Sequence, residues 1–176
     1  MSAEWKSDPS RPSLDDLSIY GSLLLRGAIA ASSVGDRSTA LELLGEATDA
    51  ARHVGGDDNR RWTAFGPTNV CQHWVNASVA LGDAGTAVEH ARSIDVTRIP
   101  IAERQASLFI DVARAFVHWG KYDRACHALN AADWVTHEEV TARPIVHSLV
   151  NDLDLQAPRS VQPQVRALAE RVGGQS

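Results

Sequence analysis

The feature that most restricts this chain is a turn that occurs three times. Gly35-Asp36-Arg37-Ser38-Thr39-Ala40 is echoed by Gly82-Asp83-Ala84-Gly85-Thr86-Ala87 and by Gly120-Lys121-Tyr122-Asp123-Arg124-Ala125. Successive copies start 47 and 38 residues apart, and each lies between two runs of helical periodicity. Glycine tolerates the left-handed backbone that stops a helix, and aspartate accepts hydrogen bonds from the free amides of the next. The alanine five residues after the glycine lets the second helix pack closely on the first. Self-similarity at such a period predicts an array of helical hairpins.

Small residues at these two positions are the pattern of tetratricopeptide-type repeats, and Tyr122 stands where such repeats often carry an aromatic. The spacings exceed the usual period of about 34 residues, so Asp57 to Arg61 and Asp95 to Arg98 are read as extra loop residues. The predicted fold is all-α: antiparallel helical hairpins stacked as a right-handed, tetratricopeptide-like superhelix of about eight helices. Met1 to Pro12 is polar, holds Pro9 and Pro12, and is expected to be a disordered lead-in. Residues 13–174 form the repeat domain.

Ser13 and Asp16 make a capping box, followed by Tyr20, Leu23, Leu24, Gly27, Ala28 and Ala31 at helical spacing. The second helix presents Ala40, Leu43, Leu44, Ala47 and Ala51 and runs to about Val54. Pro67 suits a first helical turn, and the helix it opens reaches Leu81. Asp83 to Ile94 pairs with it. Pro100 opens a helix with a Leu108, Val112, Phe116 and Trp119 stripe, paired with Lys121 to Asp133. Thr136-His137-Glu138-Glu139 reads as a second capping box over a short turn. Pro144 to Leu155 and Val161 to Val172 form the last hairpin. Alternating β-branched runs are absent. Ala, Leu and Arg are strong helix formers, and the 26 alanines against three phenylalanines agree with this reading.

Charge and composition narrow the function classes. The net charge is −5, whereas affinity for nucleic acid comes from neutralising phosphates. The longest basic run is Arg60-Arg61, close after Asp57-Asp58, so direct DNA or RNA contact is not expected. Trp62 to Gly82 lacks any formally charged residue, yet Gly66, Pro67, Asn69, Gln72, His73 and Asn76 make it too polar to span lipid. Cys71 and Cys126 form no disulfide framework; with no apolar leader at the N-terminus, they read as reduced thiols in a cytoplasmic protein.

Catalytic and metal chemistry find little support. The seven histidines (53, 73, 90, 118, 127, 137 and 147) never fall four apart, and neither Cys71/His73 nor Cys126/His127 has metal-ligand spacing. No nucleophile has a base in a recognisable context. Asp15-Asp16, Asp57-Asp58 and Glu138-Glu139 fall at helix caps or loops, where negative charge is favoured anyway. No enzyme activity, metal or cofactor is expected.

The helix after Pro67 is the unusual element. Asn69, Gln72, His73 and Asn76 share one face at i, i+3, i+4 and i+7, while Val70, Trp74, Ala77 and Leu81 share another. A solvated face normally carries Glu, Lys or Arg, and carboxamides in a dry core need partners. This face fits a wet groove that hydrogen-bonds an extended backbone. The repeat register adds Ser22, Leu25, Arg26 and Ile29 from the first repeat and Ser107, Ile110, Asp111 and Arg114 from the third. The alternative is that these groups satisfy one another in a structural groove. Trp62 and Phe65 are expected to pack the preceding loop, or else to wall a ligand mouth.

Thr63-Ala64-Phe65-Gly66-Pro67-Thr68-Asn69-Val70, with His73 after it, resembles a signature in the C-terminal repeat region of Xre/Cro-type transcriptional regulators of actinomycetes. Similar stretches are Tyr20 to Leu25, Gly82-Asp83, Leu108 to Ala115 and Val165 to Arg171, so the resemblance covers about residues 14 to 174. Such regulators carry an N-terminal helix-turn-helix followed by tetratricopeptide-like helices. No helix-turn-helix fits before Ser13, so the chain is expected to be a C-terminal fragment or a freestanding relative. The resemblance implies a regulatory module.

The function expected from the sequence is thus ligand or peptide sensing and protein interaction for a transcriptional regulator. The ligand-binding residues are Arg26, Asn69, Gln72, His73, Asn76, Asp111 and Arg114. The ligand is a peptide or small amphipathic molecule, with a protein partner or self-association besides, and no nucleic acid or membrane. A passive helical scaffold for protein assembly is the alternative, and it expects a flat, apolar exposed patch on a terminal helix and no cavity of ligand size.

Overall fold

The computed structural model describes residues 12–57 and 63–173. The lead-in expected over 1–12 falls almost wholly outside them, as do the predicted packing of Trp62 and most of the extra loop at 57–61. Among the described residues there are nine α-helices and no strand. They are α1 (Leu14–Ser33), α2 (Arg37–Val54), α3 (Pro67–Ala80), α4 (Ala84–Arg92), α5 (Ala102–His118), α6 (Tyr122–Val135), α7 (His137–Ala142), α8 (Pro144–Gln156) and α9 (Gln162–Gly173), with a single 3₁₀ turn at Val96–Arg98. The ninth helix is α7, a six-residue element where a short turn is predicted.

All three repeated turns close in the same way. Gly35, Gly82 and Gly120 have φ of 78°, 76° and 69°, the left-handed region that disfavours other residues. The next amide reaches back five residues: Asp36 to the Ala31 carbonyl, Asp83 to Ser78 and Lys121 to Phe116, at 2.8–2.9 Å. This is the Schellman arrangement, which satisfies the last carbonyls of the outgoing helix. Asp36 and Asp83 then accept from the Thr39 and Thr86 amides, each at 3.1 Å. Lys121 supplies no such cap. Ala40, Ala87 and Ala125 have no solvent exposure. The short connections pair α1 with α2, α3 with α4 and α5 with α6, and α3 lies against both α1 and α5.

Three apolar clusters hold these helices. One joins α1, α2 and α3 through Leu25, Ala28, Leu44, Phe65 and Val70. A second joins α3, α4 and α5 through Val75, Val79, Val88, Ile99 and Leu108. The third and largest closes α5 to α9 around Leu129, Val140, Val146, Leu153, Val165 and Leu168. The predicted stripes hold with exceptions. Tyr20 and Leu23 are exposed on α1, where Gly21 and Leu25 take the buried positions instead. Trp119 is the C-cap residue of α5 and is 48% exposed, so the α5 stripe ends at Phe116. Ser13 and Asp16 form the predicted capping box. The predicted capping box at Thr136 does not form: the Thr136 side chain makes no cap bond, and Glu139 pairs with Arg143 instead of reaching back.

Candidate functional site

The residues that lead into α3 from Phe65 to Thr68 are held by close contacts. Phe65 is fully buried against Gly21 of α1, where a Cβ would lie 2.0 Å from the ring. A Cβ on Gly66 would lie 2.6 Å from the Gly56 carbonyl oxygen, so the end of α2 crosses the start of α3 at backbone distance. Asp57 uses that approach. It accepts from the Thr68 amide at 2.8 Å and the Thr68 hydroxyl at 2.7 Å, and pairs with Arg98 at 3.0 Å. It thereby caps α3 from outside the helix, in place of Gly66, which has no side chain to do so. Pro67 occupies the first turn, where its missing amide costs nothing. Ala64 adopts φ 48°, the one described non-glycine residue with positive φ.

Thus seated, α3 turns one face to α2 and α4. Val70 and Ala77 are buried there, Trp74 stacks on His90 with ring centroids 4.9 Å apart, and the Trp74 indole donates to Thr48 at 3.1 Å. The other face, with Asn69, Gln72, His73 and Asn76, lines a hollow of about 820 Å³. Helix α1 contributes Ile19, Ser22, Leu23, Leu25, Arg26 and Ile29, and α5 contributes Arg104, Ser107, Leu108 and Asp111; Thr63 completes the wall. That volume is within the range of small-ligand sites, roughly 300–1,000 Å³.

The structure gathers six of the seven expected site residues around this hollow: Arg26, Asn69, Gln72, His73, Asn76 and Asp111. Arg114 is not among its lining residues, because it folds back one turn to pair with Asp111 at 3.0 Å. Ile110 is also displaced from the expected groove, being 2% exposed in the C-terminal cluster. Ile19, Leu23, Thr63, Arg104 and Leu108 were missed by the register. Arg104 stands three residues before Ser107 and seven before Asp111, the same-face spacing already used for α3. Phe65 is buried and walls no ligand mouth; Thr63 takes that place.

The polar groups are only partly committed. Asn76 Nδ2 donates to Asp111 Oδ2 at 2.9 Å, so both Asp111 oxygens are occupied, the other by Arg114. Gln72 Nε2 donates to the Arg104 carbonyl at 3.3 Å. His73 Nδ1 lies 2.9 Å from the Asn69 carbonyl. A carbonyl only accepts, so Nδ1 carries the proton and Nε2 presents a lone pair. Burial lowers the His73 pKa, the Asn69 carbonyl opposes that, Arg104 lowers it further, Asp111 raises it, and Arg26 lowers it. The ring is therefore neutral near pH 7. Among the described residues, no carboxylate pairs with Arg26 or Arg104, and the Asn69 side chain has no hydrogen-bond partner.

No group of three or more His, Cys, Asp or Glu among the described residues is placed to hold a metal ion. Cys71 is half-buried and Cys126 buried, neither in a disulfide, and burial, then Asp123, pushes the Cys126 thiol pKa up. Among the described residues no helix is long and apolar enough to cross a membrane. Fold and site together define an all-helical protein with an open, mixed polar and apolar hollow between alternate helices. Comparison with family models, curated proteins and solved structures finds no match.

Proposed function

We propose that this chain is the sensing and interaction module of a transcriptional regulator, binding a peptide or small amphipathic ligand in the hollow between α1, α3 and α5. It makes no direct contact with DNA. The hairpins act as a tetratricopeptide-like right-handed superhelix, in which each hairpin is completed by its neighbours. The observation that carries the reading is the uncharged carboxamide face of α3, which fronts a ligand-sized hollow instead of a dry interface. A ligand that fits the hollow in one curvature of the array favours that curvature, and the shift is passed to a partner or a linked domain. The alternative, a passive scaffold, expects no such cavity and is less well supported.

The test is a thermal-shift panel of short extended peptides and small amphipathic acids against the wild-type chain and the triple variant Asn69→Ala, His73→Ala, Asn76→Ala. Compounds that stabilise the wild type should fail to stabilise the variant, with its far-ultraviolet circular dichroism unchanged. Stabilisation that persists in the variant, or a panel with no stabilising compound, refutes the site.

A further inference from the structure

The cations that line the hollow outnumber its carboxylates. Its lining holds two guanidinium groups, Arg26 on α1 and Arg104 on α5, and one carboxylate, Asp111. Asp111 is already engaged through both oxygens, by Asn76 and Arg114. Arg26 and Arg104 are thus cations facing a shared space without a carboxylate to answer them, in a chain whose net charge is −5. They flank α3, and both act on the His73 ring from its two sides in the sequence of helices. Beside Arg26, the same wall of α1 exposes Ile19 (44%) and Leu23 (62%), with Ile29 half-buried one turn on. These aliphatic side chains at the mouth of a polar hollow offer an apolar surface beside its cations.

We propose that the hollow recognises the carboxylate of an amphipathic organic acid, with Arg26 and Arg104 taking the anionic group and Ile19, Leu23 and Ile29 covering its hydrocarbon body. This rests on the hollow being the ligand site. Guanidinium groups bind carboxylates through charge-assisted hydrogen bonds that a neutral head group cannot replace. The unpaired Asn69 carboxamide adds a donor. The carboxylate belongs either to an acyl chain or to the C-terminus of a short apolar peptide, and both offer the same chemistry to the two arginines. Binding also engages His73. Burial is the largest influence holding the imidazole pKa down; a carboxylate placed among Arg26, Arg104 and the ring offsets the two cations that add to it, with the Asn69 carbonyl and Asp111 acting in the same direction as the carboxylate. Nε2 then takes up a proton and donates to the ligand.

The experiment is calorimetric titration of the full chain with sodium decanoate and with acetyl-trileucine bearing a free carboxylate, against decan-1-ol and acetyl-trileucine amide. Side-chain amide resonances of Asn69 and Asn76 locate the site. At least one acid should bind about tenfold or more tighter than its neutral counterpart, the loss expected for one charge-assisted hydrogen bond; which acid does so identifies the source of the carboxylate. Arg26→Gln and Arg104→Gln should each weaken that acid by a similar factor. Affinity should rise as pH falls from 7.5 to 6.0, and His73→Gln should abolish that rise. Equal binding of acid and neutral compound, or arginine variants that bind as well as wild type, overturns the carboxylate assignment and leaves the hollow as a ligand site. Failure of every probe here overturns the assignment too, while the broader peptide panel decides separately whether the hollow binds anything.

Discussion

The two ends of the molecule start from the same turn and finish differently. Around α1, α3 and α5 the helices leave a hollow of about 820 Å³ between polar faces. Around α6 to α9 the equivalent space is closed, because α7 drops Val140 into a cluster with Val146, Leu153, Val165 and Leu168. The arginines follow the same division. Arg143 pairs with Glu139 and donates to Ser107 Oγ at 3.0 Å, tying the start of α8 to the rim of α5. Arg171 pairs with Asp133 at 3.1 Å and with Asn130. Arg26 and Arg104 have no such partners. Arg143 finds its acid one turn away on the chain and Arg171 finds one on another helix, and both become struts; Arg26 and Arg104 line the hollow with no carboxylate partner among the described residues.

The largest expected effects come from the core on each side. Phe65→Ala removes a fully buried ring and should cost about 3–5 kcal/mol in urea unfolding. Gly21→Ala forces a methyl against that ring and should cost about 1–3 kcal/mol. Leu153→Ala should cost about 2–5 kcal/mol at the closed end. The comparison predicts different side effects. Phe65→Ala and Gly21→Ala should shift the side-chain amide signals of Asn69 and Asn76, since they unseat α3, and Leu153→Ala should not. Equal shifts from all three would show that the two ends are not separable.

Asp57→Ala addresses what seats α3. It removes both Thr68 hydrogen bonds and the Arg98 pair, and the loss of an N-terminal cap costs about 1 kcal/mol. The urea midpoint is the measurement. A variant as stable as wild type would mean that Pro67 and Phe65 suffice to hold the helix start.

Much of this was readable from residue order, and the limits have physical causes. The Gly-x₄-Ala turns carry their own geometry, because positive φ and a zero-exposure alanine depend on residues within one turn. The shared face of Asn69, Gln72, His73 and Asn76 follows from helical spacing alone. What Thr63 to Val70 does was not readable, since its partners lie far off in sequence. Phe65 needs Gly21, Gly66 needs Gly56, and Thr68 needs Asp57. Of those eight residues only Thr63 and Asn69 line the hollow. The motif is chiefly a device for seating α3. Arg114 and Ile110 were misplaced for a related reason. Side chains on one helical face diverge once a neighbour offers a partner, here Asp111 for the arginine and the α6 to α9 cluster for the isoleucine.

The arginine contrast gives smaller effects. Arg143→Ala removes a half-exposed ion pair, worth roughly 0.2–1 kcal/mol after solvent screening, together with the Ser107 bond. Arg26→Ala removes no partner and should leave stability within about 0.5 kcal/mol of wild type. Thermal midpoints of the two variants side by side check this. An Arg26 variant that loses as much stability as the Arg143 variant would mean that Arg26 is structural, and the division between struts and free cations would fail.

The smallest effect expected is a shallow pH slope, and it separates the hollow from the surface caps. Burial holds His73 and His90 below the ordinary imidazole value of 6.5, with the Asn69 carbonyl opposing the shift at His73 and Glu89 opposing it at His90. Their folded pKa values are lower than their unfolded ones, so the unfolded chain binds protons more readily as pH falls. Their contribution is therefore complete above pH 6.5, declines below it, and levels off beneath the folded values. Asp36 and Asp95 act in a different window. Hydrogen bonds from Thr39 and Thr97 hold them below 3.8, so the stability they add is present above that value and is lost only as pH falls through the lowered ones. Thermal midpoints at pH 7.5, 6.5 and 5.5 should fall gently in the wild type and be flatter in the His73→Gln, His90→Gln double variant. A double variant with an unchanged slope would assign the effect elsewhere and remove His73 as the titrating group of the hollow.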